Sequence, residues 1–386
     1  MLPRIVSAIG AALSSAEIEA AVRVTASQRG QSRGVFRVLD ELTGVLVEYH
    51  ASKKIAFVSP SRTIFGFSNS STSSNQHAFI WTPGAGMKDI GTFGGTYSEA
   101  RGMSASGKIA VGSATTLGRA TRAFTWTLAT GLVDIGTLGG TNSAAYGVSA
   151  DGLTVAGMAD TVGSTAHHAF SWTAAGGMVD IGTFGGTNSE AYGVSRDGVT
   201  VFGTLGDSNI AGIVRHAFIW TLVGGIRDIG TLGGSYGCTK GVSDDSLTAI
   251  GVSHIAGDVA QHAFSWTALG GMIDLGTLGG TNSYAYGVSG NGLMVVGWSD
   301  IAGNSTQHAF SWTAAGGMVD IGTLGGTFSG AYGVSRDGMT VVGFSGVPAS
   351  SAQHAFSWTT KGMIDIALLG SAPLGGNHSG AFGTIP

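Results

Sequence analysis

Residues 308–326 read HAFSWTAAGGMVDIGTLGG and contain the two phrases whose recurrence decides the fold. The first phrase, His-Ala-Phe-x-Trp, occurs seven times at intervals of 45–48 residues, with arginine in place of histidine in one copy. Its copies begin at His77, Arg122, His168, His216, His262, His308 and His354. The second phrase is typified by Asp-Ile-Gly-Thr-Leu-Gly-Gly. It begins at Asp89, Asp134, Asp180, Asp228, Asp274 and Asp320, and a degenerate copy begins at Asp365.

A third phrase, Ala-Tyr-Gly-Val-Ser followed by a turn such as Asp-Gly, completes the unit, as in residues 191–203. In that unit, residues 192–195, 199–203, 216–220 and 226–232 predict four strands, A to D, joined by tight hairpins. A period near 46 residues with four strand-like pieces is typical of a β-propeller blade. Helical repeats would need a 3.6-residue periodicity, and each interior glycine would cost them about 1 kcal/mol.

The composition agrees with many short strands and tight turns. Glycine accounts for 67 of 386 residues, and 11% of residues are charged while 43% are hydrophobic. A disordered chain needs the opposite balance of charge and hydrophobicity. The sequence therefore predicts an all-β fold, a β-propeller of four-stranded blades over residues 33–386, preceded by a separate N-terminal segment at residues 1–32.

The alternation of side chains along strand C predicts how the blades pack. His216, Phe218 and Trp220 share one face, and the small Ala217 lies on the other. We expect the large face of each blade to pack against the smaller face of its neighbour. Strand A should lie nearest the axis, because its glycines permit close approach.

The seven copies favour seven blades, but two pieces of chain are left over. Residues 34–49 resemble a degenerate hairpin of strands C and D, and residues 379–385 resemble the start of another strand A. These pieces could pair as a split closing blade, which would make eight.

The N-terminal segment has two interpretations. Arg4 followed by the apolar residues 5–13 resembles a short signal peptide, whereas Ser14 and Glu17 have the spacing of a helix capping box. A net charge of −4 offers no basic surface for nucleic acid. No apolar run reaches the ~20 residues of a membrane-spanning helix, and the single cysteine, Cys238, excludes an internal disulfide.

Serine, histidine and aspartate recur in nearly every unit, which invites comparison with a catalytic triad. A triad needs one strained serine and one oxyanion hole, so groups repeated in every blade are expected to form structural hydrogen bonds. Histidines spread around a ring also lie too far apart to share a zinc ion. We therefore predict no catalytic residue, no metal and no cofactor. The predicted framework consists of His77, His168, His216, His262, His308, His354, Trp81, Trp126, Trp172, Trp220, Trp266, Trp312, Trp358, Asp89, Asp134, Asp180, Asp228, Asp274, Asp320 and Asp365.

The B–C loops vary most between copies, and a meander places them all on one rim with the D-to-A connections. Their polar residues are candidates for ligand contact, although solvated loop polarity would give the same pattern. The candidates are Asp160, His167, Asp207, Asn209, His254, Asp258, Asp300 and Asn304. Trp298, the one tryptophan outside strand C, indicates either a carbohydrate-stacking platform or blade packing.

The first two phrases closely resemble the bacterial HAF repeat family, over residues 57–382. The resemblance implies an extracellular or cell-surface protein, and some members of that family carry a C-terminal autotransporter barrel. Only Gly-Thr-Ile-Pro follows Phe382, so we expect export by another route or an incomplete copy. The resemblance implies no activity.

These features predict a secreted or cell-surface binding module that contacts a macromolecule or glycan through its variable loops. We expect a monomer that is not an enzyme. A polysaccharide lyase or hydrolase with a rim site would need an acid pair or nucleophile that breaks the repeat pattern. A structural spacer or a truncated autotransporter passenger is the remaining alternative.

Overall fold

The computed structural model describes residues 34–40, 45–51, 56–58, 64–69, 75–82, 85–206, 215–348, 353–366 and 378–380. Every regular element within these residues is a β-strand. The described residues contain no helix long and apolar enough to span a membrane. The predicted N-terminal segment and the candidates Asp207 and Asn209 lie outside the described residues.

The described residues begin with a hairpin and continue through seven four-stranded antiparallel meanders, or blades, whose strands keep their sequence order. The hairpin is β1 (Gly34–Asp40) and β2 (Val45–Ala51). The first blade is β3 (Ala56–Val58), β4 (Ile64–Asn69), β5 (Gln76–Thr82) and β6 (Gly86–Gly91). The second is β7 (Gly94–Met103), β8 (Ala110–Thr116), β9 (Thr121–Thr127) and β10 (Gly131–Asp134). The third is β11 (Gly139–Val148), β12 (Val155–Thr161), β13 (His167–Thr173) and β14 (Gly177–Gly182).

The remaining blades repeat the same order. The fourth is β15 (Ser189–Val194), β16 (Thr200–Leu205), β17 (His216–Thr221) and β18 (Gly225–Gly230). The fifth is β19 (Gly233–Val242), β20 (Thr248–Ile255), β21 (Gln261–Thr267) and β22 (Gly271–Asp274). The sixth is β23 (Gly279–Val288), β24 (Val295–Ile301), β25 (Gln307–Thr313) and β26 (Gly317–Gly322). The seventh is β27 (Ser329–Val334), β28 (Val341–Gly346), β29 (Gln353–Thr359) and β30 (Gly362–Asp365), and β31 (His378–Gly380) follows it.

The prediction of a β-propeller of four-stranded blades is confirmed. In the fourth blade the predicted strands A to D correspond to β15 to β18, with small shifts at their ends. The seven repeats give seven four-stranded blades. The split closing sheet, which the sequence left open, is also present.

Strands from both ends of the chain form this closing sheet. β2 pairs antiparallel with β31, and Tyr49 lies opposite Ser379. β1 pairs with β2 on its other edge. β31 and β2 lie against β28 and β29 of the seventh blade, while β1 lies against β3 and β4 of the first. The closing sheet therefore joins the last blade to the first and completes the ring.

The core lies between blades. One cluster contains Ala169 and Ile181 of the third blade and Val201, Phe218 and Trp220 of the fourth. The large face of one blade thus packs on the small face of the preceding blade, as predicted. The phenylalanine of the repeated phrase is fully buried in six blades, at Phe124, Phe170, Phe218, Phe264, Phe310 and Phe356. Each such ring contributes roughly 1.5–3 kcal/mol of burial free energy.

The first strand of each blade is the innermost. First strands of successive blades contact one another. At the sixth and seventh blades they pack so closely that a Cβ on Gly287 would lie 3.2 Å from the Cα of Gly333. Fourth strands are the outermost, and Val319 on β26 is 49% exposed.

A buried serine of the first strand links five of the blades to the blade before, whereas the fifth blade has Gly237 at that position. Ser189 Oγ accepts a hydrogen bond from the Ala169 N–H at 2.8 Å and donates one to the Gly182 carbonyl at 2.6 Å. One side chain therefore satisfies backbone groups of strands β13 and β14 in the preceding blade. The same two bonds are made by Ser98, Ser143, Ser283 and Ser329.

Candidate functional site

A β-bulge interrupts the first strand of six blades at the same place. In the fourth blade Ala191 pairs with Gly203 and Gly193 pairs with Phe202, which leaves Tyr192 without an opposite residue. A bulge bends the strand and re-aims the side chain of its extra residue. The six extra residues, which we call the bulge ring, are Arg101, Tyr146, Tyr192, Lys240, Tyr286 and Tyr332.

Members of the bulge ring meet across blade boundaries. The Arg101 guanidinium lies 4.8 Å from the centre of the Tyr146 ring, and Lys240 Nζ lies 4.5 Å from the centre of the Tyr192 ring. Tyr286 and Tyr332 have ring centroids 4.7 Å apart. All six side chains are half-buried on the innermost strands. The bulge ring therefore forms a polar and aromatic surface around the axis.

Glu190, two residues before the bulge in the fourth blade, is held by its neighbours. The Tyr192 hydroxyl donates to Glu190 Oε2 at 2.8 Å, and His167 Nε2 lies 3.3 Å from Oε1. Arg215 Nη2 lies 3.9 Å from the same oxygen. The hydrogen bond from His167 is the main cause that holds the pKa of Glu190 below its ordinary value. Burial, followed by nearby Cys238 and Glu190, raises the pKa of Tyr192.

Glu99 occupies the same place in the second blade. The Tyr97 hydroxyl donates a hydrogen bond to Glu99, and Arg101 Nη2 donates another at 3.2 Å. Burial, with a further contribution from Glu99, raises the pKa of Tyr97 to about 12. Both glutamates of this surface are therefore bonded to residues of the protein.

A continuous row of aromatic rings crosses the sixth and seventh blades. Trp298 stacks on Tyr284 with centroids 4.3 Å apart, and Tyr284 lies 6.4 Å from Tyr286. On the seventh blade, Tyr332 lies 5.4 Å from Phe344. The aromatic row consists of Trp298, Tyr284, Tyr286, Tyr332, Phe344 and Phe328. It shares Tyr286 and Tyr332 with the bulge ring.

The third blade shows that these rings are not required by the framework. Its residues Ala144 and Met158 pair across the first two strands just as Tyr284 and Trp298 do in the sixth. The neighbouring polar contact is the same in both blades. Asn282 Nδ2 donates to Asp300 at 2.9 Å, and Asn142 Nδ2 donates to Asp160 at 2.8 Å.

The structure places most of the rim candidates in contacts within their own blades. Asp160 and Asp300 accept bonds from the backbone N–H and the amide of Asn142 and Asn282. Asn304 accepts a bond from the Thr281 N–H at 2.7 Å. These contacts tie the second strands of the third and sixth blades, and the B–C turn of the sixth, to the first strands of the same blades.

The other rim candidates are paired acids and histidines. Asp258 accepts a bond from the Ser235 N–H at 2.6 Å, and His254 Nδ1 lies 3.0 Å from its carboxylate. His167 joins the Glu190 cluster. Asp300 lies two residues from Trp298 on the same face of β24 and contributes to the raised pKa of Tyr284, whose main cause is burial. The structure thus brings Asp300 to the aromatic row and His167 to the bulge ring.

The repeated histidines and aspartates join the third and fourth strands of six blades. His216 Nδ1 lies 2.5 Å from Asp228 Oδ2. Five further pairs at 2.6–2.9 Å are His77–Asp89, His168–Asp180, His262–Asp274, His308–Asp320 and His354–Asp365. Arg122, which replaces the histidine in the second blade, has its Nε buried without a hydrogen-bond partner among the described residues.

The framework tryptophans pack at the same blade boundaries. Trp81, Trp126, Trp220 and Trp266 are buried. Trp172, Trp312 and Trp358 are partly buried against neighbouring core clusters. In the part of the chain that the structure describes, no group of three His, Cys, Asp or Glu side chains has the arrangement of a metal site.

Comparison with known proteins gives matches by structure only. No family model matches the sequence, and no curated protein matches it. The structure is similar to dipeptidyl peptidase 4 of Porphyromonas gingivalis, with 10% identity, a TM-score of 0.54 and coverage of 89% of this chain and 61% of that chain. It is also similar to prolyl oligopeptidase B from Galerina marginata, with 8% identity, a TM-score of 0.53 and coverage of 81% and 49%.

A third structure, of a prolyl endopeptidase, has 10% identity and a TM-score of 0.52, with coverage of 79% of this chain and 48% of that chain. The similarity to these three proteins is a similarity of fold alone. This chain spans between 48% and 61% of the length of these three proteins.

The bulge ring was not among the residues predicted from the sequence, although the repeat contained a signal for it. The bulge residue is the second position of the phrase Ala-x-Gly-Val, in which Met103 replaces valine in the second blade and Thr239 replaces alanine in the fifth. Tyrosine stands there in four units, and Arg101 and Lys240 replace it in two. A position that accepts tyrosine, arginine and lysine is under weak packing demand from the framework, in agreement with the half-burial of all six side chains.

Proposed function

We propose that this protein is a non-enzymatic binding module that holds a saccharide chain against the aromatic row. The observation that carries the proposal is the stacked pair of Trp298 and Tyr284, with centroids 4.3 Å apart. The third blade builds the same framework with Ala144 and Met158 at the matching positions. Both rings are half-buried, so part of each remains available for contact.

The chemistry of the row suits a saccharide. Binding surfaces for small ligands combine aromatic side chains with a few convergent polar groups. The faces of Trp298 and Tyr284 offer apolar area to the C–H faces of sugar rings. Asp300 and Asn282, on the same side of the sixth blade, supply acceptors and donors for hydroxyl groups. A row of several rings fits successive units of a chain better than a single small molecule.

The proposed ligand contacts the inner strands rather than the rim loops that the sequence favoured. The rim residues Asp160, Asp258 and Asn304 already bond to their own blades. Asp300 remains part of the proposed surface because it lies beside Trp298. We propose in addition that the protein acts outside the cell or at its surface. Fractionation of the producing cell, with N-terminal sequencing of the mature chain, tests that location.

The decisive experiment measures saccharide binding by the full chain on a glycan array, followed by titration calorimetry. The double variant Tyr284→Ala/Trp298→Met rebuilds in the sixth blade the pair that the third blade already uses, so it is expected to fold. Loss of two stacking faces should weaken binding at least tenfold, which corresponds to about 1.4 kcal/mol.

A matched control replaces an aromatic ring elsewhere. Phe184 is 62% exposed in the connection after the third blade, where other repeats carry leucine at Leu138 and Leu278. Phe184→Leu should bind as the wild type does. Absence of saccharide binding by the wild type, or unchanged binding by the double variant, would refute the proposal. A bound saccharide that is shortened during incubation would refute its non-enzymatic part.

A further inference from the structure

We infer that the bulge ring binds negatively charged oxygens, so that the saccharide held by this protein is an acidic one, bearing carboxylate or sulfate groups. This inference rests on the proposed function and assigns the chemical class of its ligand. It begins from the two units in which a cation replaces tyrosine. Those cations are Arg101 in the second blade and Lys240 in the fifth.

Lys240 is a cation without a carboxylate partner among the described residues. Its ammonium lies over the Tyr192 ring at 4.5 Å, while the nearby Glu190 bonds to Tyr192, His167 and Arg215. A positive charge without a counter-ion on a half-buried surface attracts anions more strongly than one in open water, because screening is weaker there. The position therefore favours an anionic group from outside.

Arg101 is only partly neutralised. One of its terminal nitrogens reaches Glu99 at 3.2 Å, and Glu99 also accepts a bond from Tyr97. Arg101 Nε is buried and has no hydrogen-bond partner among the described residues. The Arg101 side chain as a whole is 35% exposed. Because Nε is closed to solvent, an anion from outside contacts the terminal nitrogens of the guanidinium, whose planar arrangement suits a carboxylate.

The remaining members of the bulge ring add donors and no negative charge. All four are tyrosines, and carboxylates are absent from the six bulge positions. Burial raises the pKa of Tyr146, so its hydroxyl stays neutral and does not repel an anion. The bulge ring therefore carries two cations and four phenols.

The aromatic row continues into the bulge ring, which contains Lys240. Lys240 lies on β19 and Tyr286 on β23, and these first strands are neighbours in the ring. Tyr286 and Tyr332 belong to both the aromatic row and the bulge ring. The Lys240 ammonium lies over Tyr192, on the far side of β19 from Tyr286, so a chain that stacks on Tyr286 reaches it by continuing along the bulge ring across one first strand. An acidic substituent is then attracted, whereas a neutral chain gains only the stacking.

The test compares an oligosaccharide of uronic acid units with the same chain after chemical reduction of its carboxyl groups, by titration calorimetry. A sulfated oligosaccharide of equal length tests whether sulfate groups are bound in place of carboxylates. The wild type should bind the acidic chain about tenfold more tightly than its reduced counterpart, and rising salt should remove that preference. Inorganic phosphate alone should compete weakly, since it cannot use the aromatic row.

Lys240→Tyr places at the fifth blade the residue that four other blades use, so the fold is expected to be kept. This variant should lose most of the preference for the acidic chain while it retains the affinity for the reduced chain. Lys108→Gln, at an exposed lysine of a hairpin, is the control and should change neither affinity.

The outcomes separate the two proposals. Equal binding of acidic and reduced chains, or a preference that survives Lys240→Tyr, would overturn the anionic assignment and leave the saccharide function standing. Phosphate that competes as strongly as the acidic chain would also overturn it, because the site would then take free anions. Failure of both chains to bind would instead remove the proposed function itself.

Discussion

Gly147 of the third blade packs backbone to backbone against Gly193 of the fourth, so that a Cβ on Gly147 would lie 2.8 Å from the Gly193 Cα. The contact is made by backbone atoms, which cannot rotate away as a flexible side chain would. Close approach of the inner strands therefore depends on glycine at this place in the repeat.

Gly147→Ala should destabilise the ring by about 1–3 kcal/mol, as expected for overpacking against a fixed backbone. The measurement is the urea midpoint followed by tryptophan fluorescence. Gly118→Ala is the control, since a Cβ there would meet only the Thr116 hydroxyl, at 3.9 Å. Equal midpoints for the two variants would show that the first strands are farther apart than described.

Ser189→Ala should cost about 1–3 kcal/mol, because it leaves the buried Ala169 N–H and the Gly182 carbonyl without their partner. Ser189 is 1% exposed, so water is not expected to replace the hydroxyl without rearrangement. Thr187→Ala, at an exposed side chain two residues earlier, should leave the midpoint unchanged. Amide exchange at Ala169 gives a second measure, and unchanged protection in the serine variant would contradict the link between blades.

The pairing of Glu190 with His167 predicts a pH dependence of stability. The hydrogen bond from His167 lowers the pKa of Glu190 in the folded chain. A carboxyl with a lowered folded pKa stabilises the fold above its unfolded pKa of about 4.3, and the contribution is lost as pH falls through the folded pKa. Glu190→Gln should therefore reduce stability at pH 6 and flatten its decline towards pH 3. Urea midpoints across this range are the measurement, and parallel curves for variant and wild type would count against the pairing.

Closure of the ring can be tested by a disulfide between β2 and β31. Tyr49 and Ser379 are opposite one another, and opposite residues of antiparallel strands have Cα atoms about 4.5–5.5 Å apart, within reach of a disulfide. Tyr49→Cys/Ser379→Cys should oxidise to a cross-link that mass spectrometry detects in one peptide pair. Phe36→Cys/Ser379→Cys is the control, because Phe36 lies one strand farther away, opposite Tyr49. Similar yields from both double variants would mean that the ends do not meet as described.

Much of the fold could be predicted because a blade is built from local patterns. The spacing of Phe218 and Trp220 set the face of strand C, and the glycines around it set the hairpins. Such patterns depend on residues close in sequence. They gave four strands per unit, the order of the strands and the packing of a large face on a small one.

The candidate site was less predictable, because it depends on register and on the approach of neighbouring blades. The bulge that frees Tyr192 is a shift in pairing with the next strand and is invisible in a list of apolar and polar residues. Trp298 was recognised as an outlier in the sequence, but its stacking on Tyr284 required the pairing of β23 with β24.

An ion pair between two blades that are not neighbours is also not predictable from the sequence. Arg336 of the seventh blade reaches Asp244 of the fifth at 2.9 Å, across the sixth. It passes over Gly290, where a Cβ would lie 2.5 Å from the Arg336 Cγ. No spacing in the sequence predicts such a contact, since it depends on the curvature of the ring.

The sequence by itself determined that this protein is a ring of repeated four-stranded blades, because strand periodicity and glycine turns act within a few residues. Only the tertiary structure decided how the ring closes through β2 and β31, and which side chains the bulges turn towards the axis. The reason is that these features depend on the angles between blades. Those angles are set by the sum of many packing contacts, such as that between Gly147 and Gly193, rather than by any one phrase.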